Sequence, residues 1–256
     1  MVIVKNLSYG SEGRILIYPF SLSLDDGSVT GVVGKSGAGK SLMLKLLAGE
    51  TGGYDGAIEI NGRELSAIPA RERHKLLSYS RGDLPENGDE PVEDFLLSAR
   101  IAHKKFLRPY GGADLQLTRD YMKIFELSAV RDRPLNTLTG SALARALMAH
   151  AFIVDPAVLL LDGVPSEMDP RDRRLLAGAL SRFTLNGDRS VVLASNDLNL
   201  VFQTADSVLF VGDGKVSAPI EPGAIDAETI RRYFDEDALI SRNIYNGRPQ
   251  VHFFAE

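Results

Sequence analysis

The eight residues Gly34-Lys35-Ser36-Gly37-Ala38-Gly39-Lys40-Ser41 have the form G-x-x-x-x-G-K-[ST]. They lie between an apolar run, Val29-Thr30-Gly31-Val32-Val33, and a helix-forming run, Leu42-Met43-Leu44-Lys45-Leu46-Leu47. A strand that turns through glycines into a helix points successive backbone N–H groups at one spot, and the helix adds its positive dipole end there. That geometry suits phosphate, so the segment predicts a nucleoside triphosphate site on a strand–loop–helix corner of an α/β fold. Lys40 is placed to neutralise the β- and γ-phosphates and Ser41 to hold Mg²⁺, with Leu42 counted among the loop residues that contact the nucleotide.

The 256 residues suffice for one large α/β domain that needs no covalent staples, and without cysteine no disulfide is possible. That usage fits a reducing compartment without proving one. The N-terminus, Met1-Val2-Ile3-Val4-Lys5, reads as a short strand, and no apolar run reaches bilayer-spanning length. The expectation is a soluble chain that reaches any membrane through a partner. A net charge of −5 with mixed signs argues against a nucleic-acid partner, which usually requires a basic surplus.

Residues 1 to 30 alternate apolar and polar positions around turn signals at Gly10-Ser11-Glu12-Gly13 and Asp25-Asp26-Gly27, which predicts antiparallel strands ahead of the loop. Ile58-Glu59-Ile60 followed by Asn61-Gly62 adds a hairpin edge. From about residue 83 to 150 the period becomes helical, with Val92, Phe95, Leu96 and Ala99 on one face and Tyr121, Ile124, Phe125 and Leu127 on a later one. The reading is a single domain, 1–256, with a helical subdomain inserted at 83–150. The core resumes with the buried strands Val158-Leu159-Leu160-Leu161-Asp162 and Ser190-Val191-Val192-Leu193-Ala194-Ser195, separated by a helix over 171–183. A strand at 208–211 and a tail of mixed elements complete the chain.

Asp162, a carboxylate ending a buried strand, has the form that orders a Mg²⁺ shell in P-loop enzymes. With both motifs in hand, nearly the whole chain resembles the ATP-binding subunits of ABC transporters, and more narrowly those of importers for ferric siderophores, haem and vitamin B12. The resemblance implies a P-loop NTPase (RecA-like) core, an N-terminal antiparallel β subdomain and an inserted helical subdomain. It implies ATP and Mg²⁺ as cofactors. Leu138-Thr139-Gly140-Ser141-Ala142 stands where the signature L-S-G-G-Q belongs, and Arg145 keeps the basic residue that follows it. Asn196-Asp197-Leu198-Asn199-Leu200 is similar to the subgroup's H-D-L-N-L run, and the tail residues Thr229-Ile230, Tyr233-Phe234 and Asn246-Gly247-Arg248-Pro249 resemble its C-terminal end. Asp169 matches the segment through which paired subunits touch, and it also suits a helix N-cap. Tyr9 has two readings: an aromatic ring stacked on adenine, as the resemblance implies, or a strand residue packed on its own hairpin.

Three positions depart from the family. Gly163 stands where a glutamate polarises the attacking water, Asn196 where a histidine contacts the γ-phosphate, and Gly82 where a glutamine couples the metal and water to the membrane subunit. Gly163 could alternatively be a plain turn, the Asn196 amide could itself bond phosphate, and Arg81 could replace the glutamine or be a solvated charge. Losing a positioned base costs about 10²- to 10⁴-fold in rate. Nucleotide affinity comes chiefly from the loop, Lys40, Ser41 and Asp162, all of which are intact. The resemblance therefore implies an ATP-binding subunit, peripheral on the cytoplasmic face of the membrane, with a permease partner and a second ABC subunit that is either identical or different. Hydrolysis is expected to be slow or absent. The competing reading is a non-enzymatic ATP sensor in a protein complex; a GTPase is disfavoured because no N-K-x-D run is present.

Overall fold

The computed structural model describes residues 1–81, 88–104, 108–163 and 167–254. The early alternation produces two long antiparallel strands, β1 (Val2–Ser11) and β2 (Arg14–Leu24), which bury Val2, Val4, Leu7, Ile17 and Leu22 on one side. The next strand, β3 (Val29–Val33), leaves that sheet, is buried along its whole length, and leads through the glycine loop into α1 (Lys40–Ala48). Strands β4 (Asp55–Ile60) and β5 (Arg63–Glu64) return to the first sheet, which has the order β2-β1-β4-β5. Asn61 and Gly62 both take positive φ between them, the conformation that a two-residue hairpin turn demands.

Helix α2 (Ala70–Leu76) leads directly into β6 (Leu77–Ser80), and then come the helices α3 (Val92–Ser98), α4 (Gly112–Ile124) and α5 (Gly140–Ile153). The remaining core elements are β7 (Val158–Asp162), α6 (Pro170–Thr184), β8 (Ser190–Ala194), α7 (Leu198–Thr204), β9 (Ser207–Gly212) and β10 (Lys215–Val216). Helix α8 (Ala227–Phe234) and an antiparallel hairpin of β11 (Ala238–Arg242) and β12 (Pro249–Phe253) form the tail. The main sheet has the order β10-β9-β3-β8-β7-β6 and is parallel except for β10.

Burial on both faces explains why β7 and β8 read as unbroken apolar runs rather than alternating ones. Leu159, Leu161, Val191 and Leu193 face the cluster built with α5, α6 and α7, whereas Val158, Leu160, Val192 and Ala194 face α1 and the first sheet. The register sets Asp162 opposite Ala194, Ser80 opposite Leu161 and Val32 opposite Ala194, so the C-terminal ends of four parallel strands meet at one edge. Ligands of open α/β sheets bind at that edge. Among the described residues no helix is long and apolar enough to cross a membrane.

In the helical stretch, Val92, Phe95, Leu96 and Ala99 are buried as the period predicts, and Tyr121 and Phe125 join Phe152 in an aromatic cluster. Arg100 fastens this stretch to the core. Its Nε donates to Asp114 at 2.8 Å, and its Nη1 donates to the carbonyls of Ile153 at 3.1 Å and Val154 at 2.9 Å. Removing a buried partner of this kind leaves the other groups unsatisfied, so Arg100→Met is expected to destabilise the fold by about 3 kcal/mol. The check is the midpoint of urea unfolding.

His150 stacks on Phe95 with ring centroids 4.5 Å apart, and burial pushes its pKa down from 6.5 to about 4. The unfolded chain then binds the proton more tightly, so stability is full above about pH 6.5 and falls as pH drops toward 4. This slope amounts to at most about 3 kcal/mol and is expected to vanish in His150→Phe, as read by thermal melts across that range.

Candidate nucleotide-binding site

The loop leaves β3 at Val33 and enters α1 at Lys40. Gly37 and Gly39 take φ values of +79° and +110°, in the left-handed region that L side chains rarely adopt. At Gly39 a Cβ would also come 3.0 Å from the terminal Cδ1 of Ile17, a contact that a small shift of that side chain relieves, so it is the positive φ that calls for glycine. No side chain caps the N-terminus of α1, which leaves its amides directed at the loop. The cavity at this point has a volume of about 640 Å³, ordinary for a small-molecule site. Its wall takes in loop residues 36–42 together with Asp162, Gly163, Ser195 and Asn196.

Lys40 Nζ donates to the carbonyls of Gly34 at 2.7 Å and Lys35 at 2.8 Å, which holds the ammonium at the loop. Burial lowers its pKa, while the Asp162 carboxylate pulls the other way. Ser41 Oγ donates to Asp162 Oδ1 at 2.9 Å, so the two residues expected to hold the metal are already joined. Tyr79 Oη donates to Asp162 Oδ2 at 2.6 Å. Burial, and then that hydrogen bond, push the Tyr79 phenol up from its ordinary value, so it stays protonated and remains the donor.

A hydroxyl and a carboxylate at a helix N-terminus are hard oxygen donors of the kind Mg²⁺ takes when substrate phosphates supply further ligands. Among the described residues there is no cluster of three His, Cys, Asp or Glu side chains that would point to another metal. The donor set at Ser41 and Asp162 therefore fits Mg²⁺.

Gly163 follows β7 with φ +95°, and its N–H donates to the Ala194 carbonyl at 2.9 Å. A Cβ built on it would meet no atom within 4 Å, so space is open but the backbone disfavours any other residue. Asn196 is exposed on the cavity wall. It is followed by Asp197, which caps α7 by accepting from Leu200 N at 3.0 Å and pairs with Arg173. Gly82 and residues 164–166 lie outside the described residues.

Tyr9 sits in β1 opposite Ile17, half-buried against the cluster of the first sheet, and is not part of the cavity wall. The wall on that side is Ile15 and Leu16, which are 58% and 40% exposed. Leu138 is buried, Thr139 is the N-cap of α5 and Gly140 begins it with φ +54°, followed by Ser141 and Ala142. None of residues 138–142 lines the cavity, nor does Asp169, which caps α6 by accepting from Asp172 N at 2.9 Å. Arg145 ties these two helix heads together, with Nε 3.3 Å from the buried Asp172 and Nη1 donating to the Phe125 carbonyl at 3.1 Å. Sequence reasoning missed Tyr79, Ile15 and Leu16. The only available signal for Tyr79 was a polar aromatic near the end of a strand adjoining the one that ends in Asp162.

Comparison with known proteins agrees with this geometry. The family described as ABC transporter matches residues 17–164, more than half of the chain. A hemin import ATP-binding protein, HmuV, from Gloeobacter violaceus is 31% identical, over 93% of this chain and 89% of its own length. The probable siderophore transport system ATP-binding protein YusV of Bacillus subtilis is 23% identical over 97% of this chain and 90% of its own. A metal-chelate type ABC transporter solved in an inward-facing conformation superposes with a TM-score of 0.81 at 20% identity, over 99% of this chain and 96% of that one. A nucleotide-free ATP-binding cassette superposes with a TM-score of 0.75 at 16% identity, over 92% and 95% of the two chains. With its loop, strand-end carboxylate and sheet order in the places that fold requires, the chain belongs to the ABC transporter family as an ATP-binding domain.

Proposed function

We propose that this protein is the ATP-binding subunit of a membrane importer, that it binds MgATP at the loop, and that its own catalytic apparatus is disabled. The observation that carries the reading is the contrast within one cavity. Lys40, held at the loop carbonyls, and the bonded pair Ser41 and Asp162 face the cavity as groups suited to phosphate and metal, whereas Gly163 and Asn196 present neither a carboxylate nor an imidazole to the same space. Ser41 and Asp162 are the residues that would hold Mg²⁺, which when bound neutralises charge on the β- and γ-phosphates. The α1 amides and Lys40 orient the phosphates, and Ile15 and Leu16 offer apolar surface on the cavity wall. No side chain at 163 can take a proton from water.

ABC domains enclose ATP between the loop of one subunit and the signature of another, and exposure of Thr139 and Gly140 suits such a role. In a homodimer both sites would combine Gly163 and Asn196 with the altered signature, and neither would turn over. With an intact partner, one site would lack its base while the other would use Thr139, Gly140 and Ser141 to cap the γ-phosphate. Ser141 puts a side chain where the family has bare backbone. The hemin and siderophore relatives support iron-chelate or haem cargo, a permease partner, and a location on the inner face of the membrane, with cobalamin-like cargo implied by the resemblance alone. The second reading, an ATP-dependent sensor without transport, is favoured by the same contrast at Gly163 and is separated by whether a membrane protein co-purifies.

The test is calorimetric titration with MgATP beside a phosphate-release assay on the same preparation. Binding with turnover at background is expected. Turnover at tens per second would overturn the disabled-site reading, and absence of binding would overturn the nucleotide site itself.

A further inference from the structure

Asp162 is held from two directions. Ser41, from the head of α1, donates to Oδ1 at 2.9 Å, and Tyr79, from the end of β6, donates to Oδ2 at 2.6 Å. The second distance is in the range of charge-assisted O–H···O⁻ bonds, which are about twice as strong as neutral ones. β6 adjoins β7 in parallel, with Tyr79 opposite Leu160 and Ser80 opposite Leu161, so the phenol reaches past the strand ends to the carboxylate. The carboxylate cannot rotate about its Cβ–Cγ bond without breaking both bonds. Beyond Tyr79 and Ser80 the chain runs through Arg81 to Gly82, where the family's metal-coupling glutamine has been replaced.

We propose that Tyr79 is a positioning residue of the metal site, fixing the Asp162 carboxylate for Mg²⁺ and tying its orientation to the end of β6. The inference rests on the reading that MgATP binds at the loop. Two effects of the phenol oppose each other. Donating to Oδ2 draws charge from the oxygen and weakens it as an acceptor, whereas locking the carboxylate improves its aim. Each carboxylate oxygen has two acceptor sites, so Tyr79 and Ser41 use one apiece and leave one on each. Mg²⁺ demands near-octahedral geometry, and loss of outer partners typically costs 10- to 100-fold in metal affinity. Orientation therefore outweighs charge withdrawal.

The experiment uses the full chain and Tyr79→Phe, which keeps the ring and removes the donor. ATP binding is measured by calorimetry in EDTA and across a MgCl₂ titration. Metal-free ATP affinity is expected to stay within about twofold, while the Mg²⁺ concentration for half-maximal enhancement rises about 10-fold or more. Tyr79→Gln, which restores a donor on a flexible arm, is expected to recover part of that loss. Unchanged or tightened Mg²⁺ dependence in Tyr79→Phe would overturn the proposal, the latter because the phenol would then compete with the metal. An equal loss with and without metal would also overturn it, by making Tyr79 a purely structural residue. If the unsubstituted chain binds no ATP, the nucleotide reading fails first; intact binding with unaltered metal dependence fails Tyr79 alone.

Discussion

Lys40→Ala is expected to remove measurable MgATP binding from the chain. Lys40 is the first residue of α1, and its Nζ is held within 2.8 Å of two loop carbonyls, where the phosphates of a bound nucleotide would draw it. Hydrogen bonds to charged groups contribute about 1.5–3 kcal/mol each, so losing two costs about 3–6 kcal/mol, or roughly 10²- to 10⁴-fold in affinity. The same substitution frees the Gly34 and Lys35 carbonyls, which water can satisfy at an open cavity, so the melting temperature is expected to move little. Calorimetry at saturating MgCl₂ is the check. Binding unchanged in Lys40→Ala would sink the assignment of the cavity to a nucleotide, whatever the family, because no other described cation lies on its wall.

The parts legible in the sequence are those where local chemistry and fold agree. The loop was legible because each fixed position has a physical reason: a Cβ at Gly34 would come 2.1 Å from the Val211 carbonyl oxygen, Gly39 takes φ +110°, and Lys40 and Ser41 supply the ammonium and the hydroxyl. β7 was legible because burial on both faces leaves an unbroken apolar run ending at the polar edge, and Asp162 lies at that edge. The C-terminal hairpin was not foreseen, since its anchor is remote: Asn199 bonds the Val251 backbone in both directions, at 3.0 and 2.8 Å, across 52 positions. No local period reports such a contact. Tyr79 was missed for the same reason, because its meeting with Asp162 depends on the register of β6 against β7. Tyr9 is half-buried against the first sheet's cluster, and the nearby cavity wall is formed by Ile15 and Leu16, which no motif marks. The residue identities at 163 and 196 were plain, whereas the backbone at 163 was not.

That backbone sets the size of the effect expected from restoring the family's chemistry. In a Gly163→Glu/Asn196→His double variant, the imidazole replaces an exposed amide beside the Asp197 cap. The glutamate enters open space, yet φ +95° costs a non-glycine residue about 1–3 kcal/mol unless the turn relaxes. Relaxation would shift the carboxylate, and a misplacement near 1 Å alone costs about 10²-fold. A base worth about 10²- to 10⁴-fold is then expected to return at most about 100-fold over a background-level natural chain. The strain should lower the melting temperature by roughly 2–12 °C, at about 2–4 °C per kcal/mol for a chain near this size. Steady-state Mg-ATPase assays on both proteins, with MgATP binding confirmed for each, read the result. A silent natural chain and an active, less stable variant mean that the fold is competent and that its chemistry was removed at two side chains, which directs attention to a partner subunit or a regulatory role. Equal turnover in the two proteins means that other groups supply the base and the γ-phosphate contact, and Gly163 is then only a turn that closes β7 against Ala194.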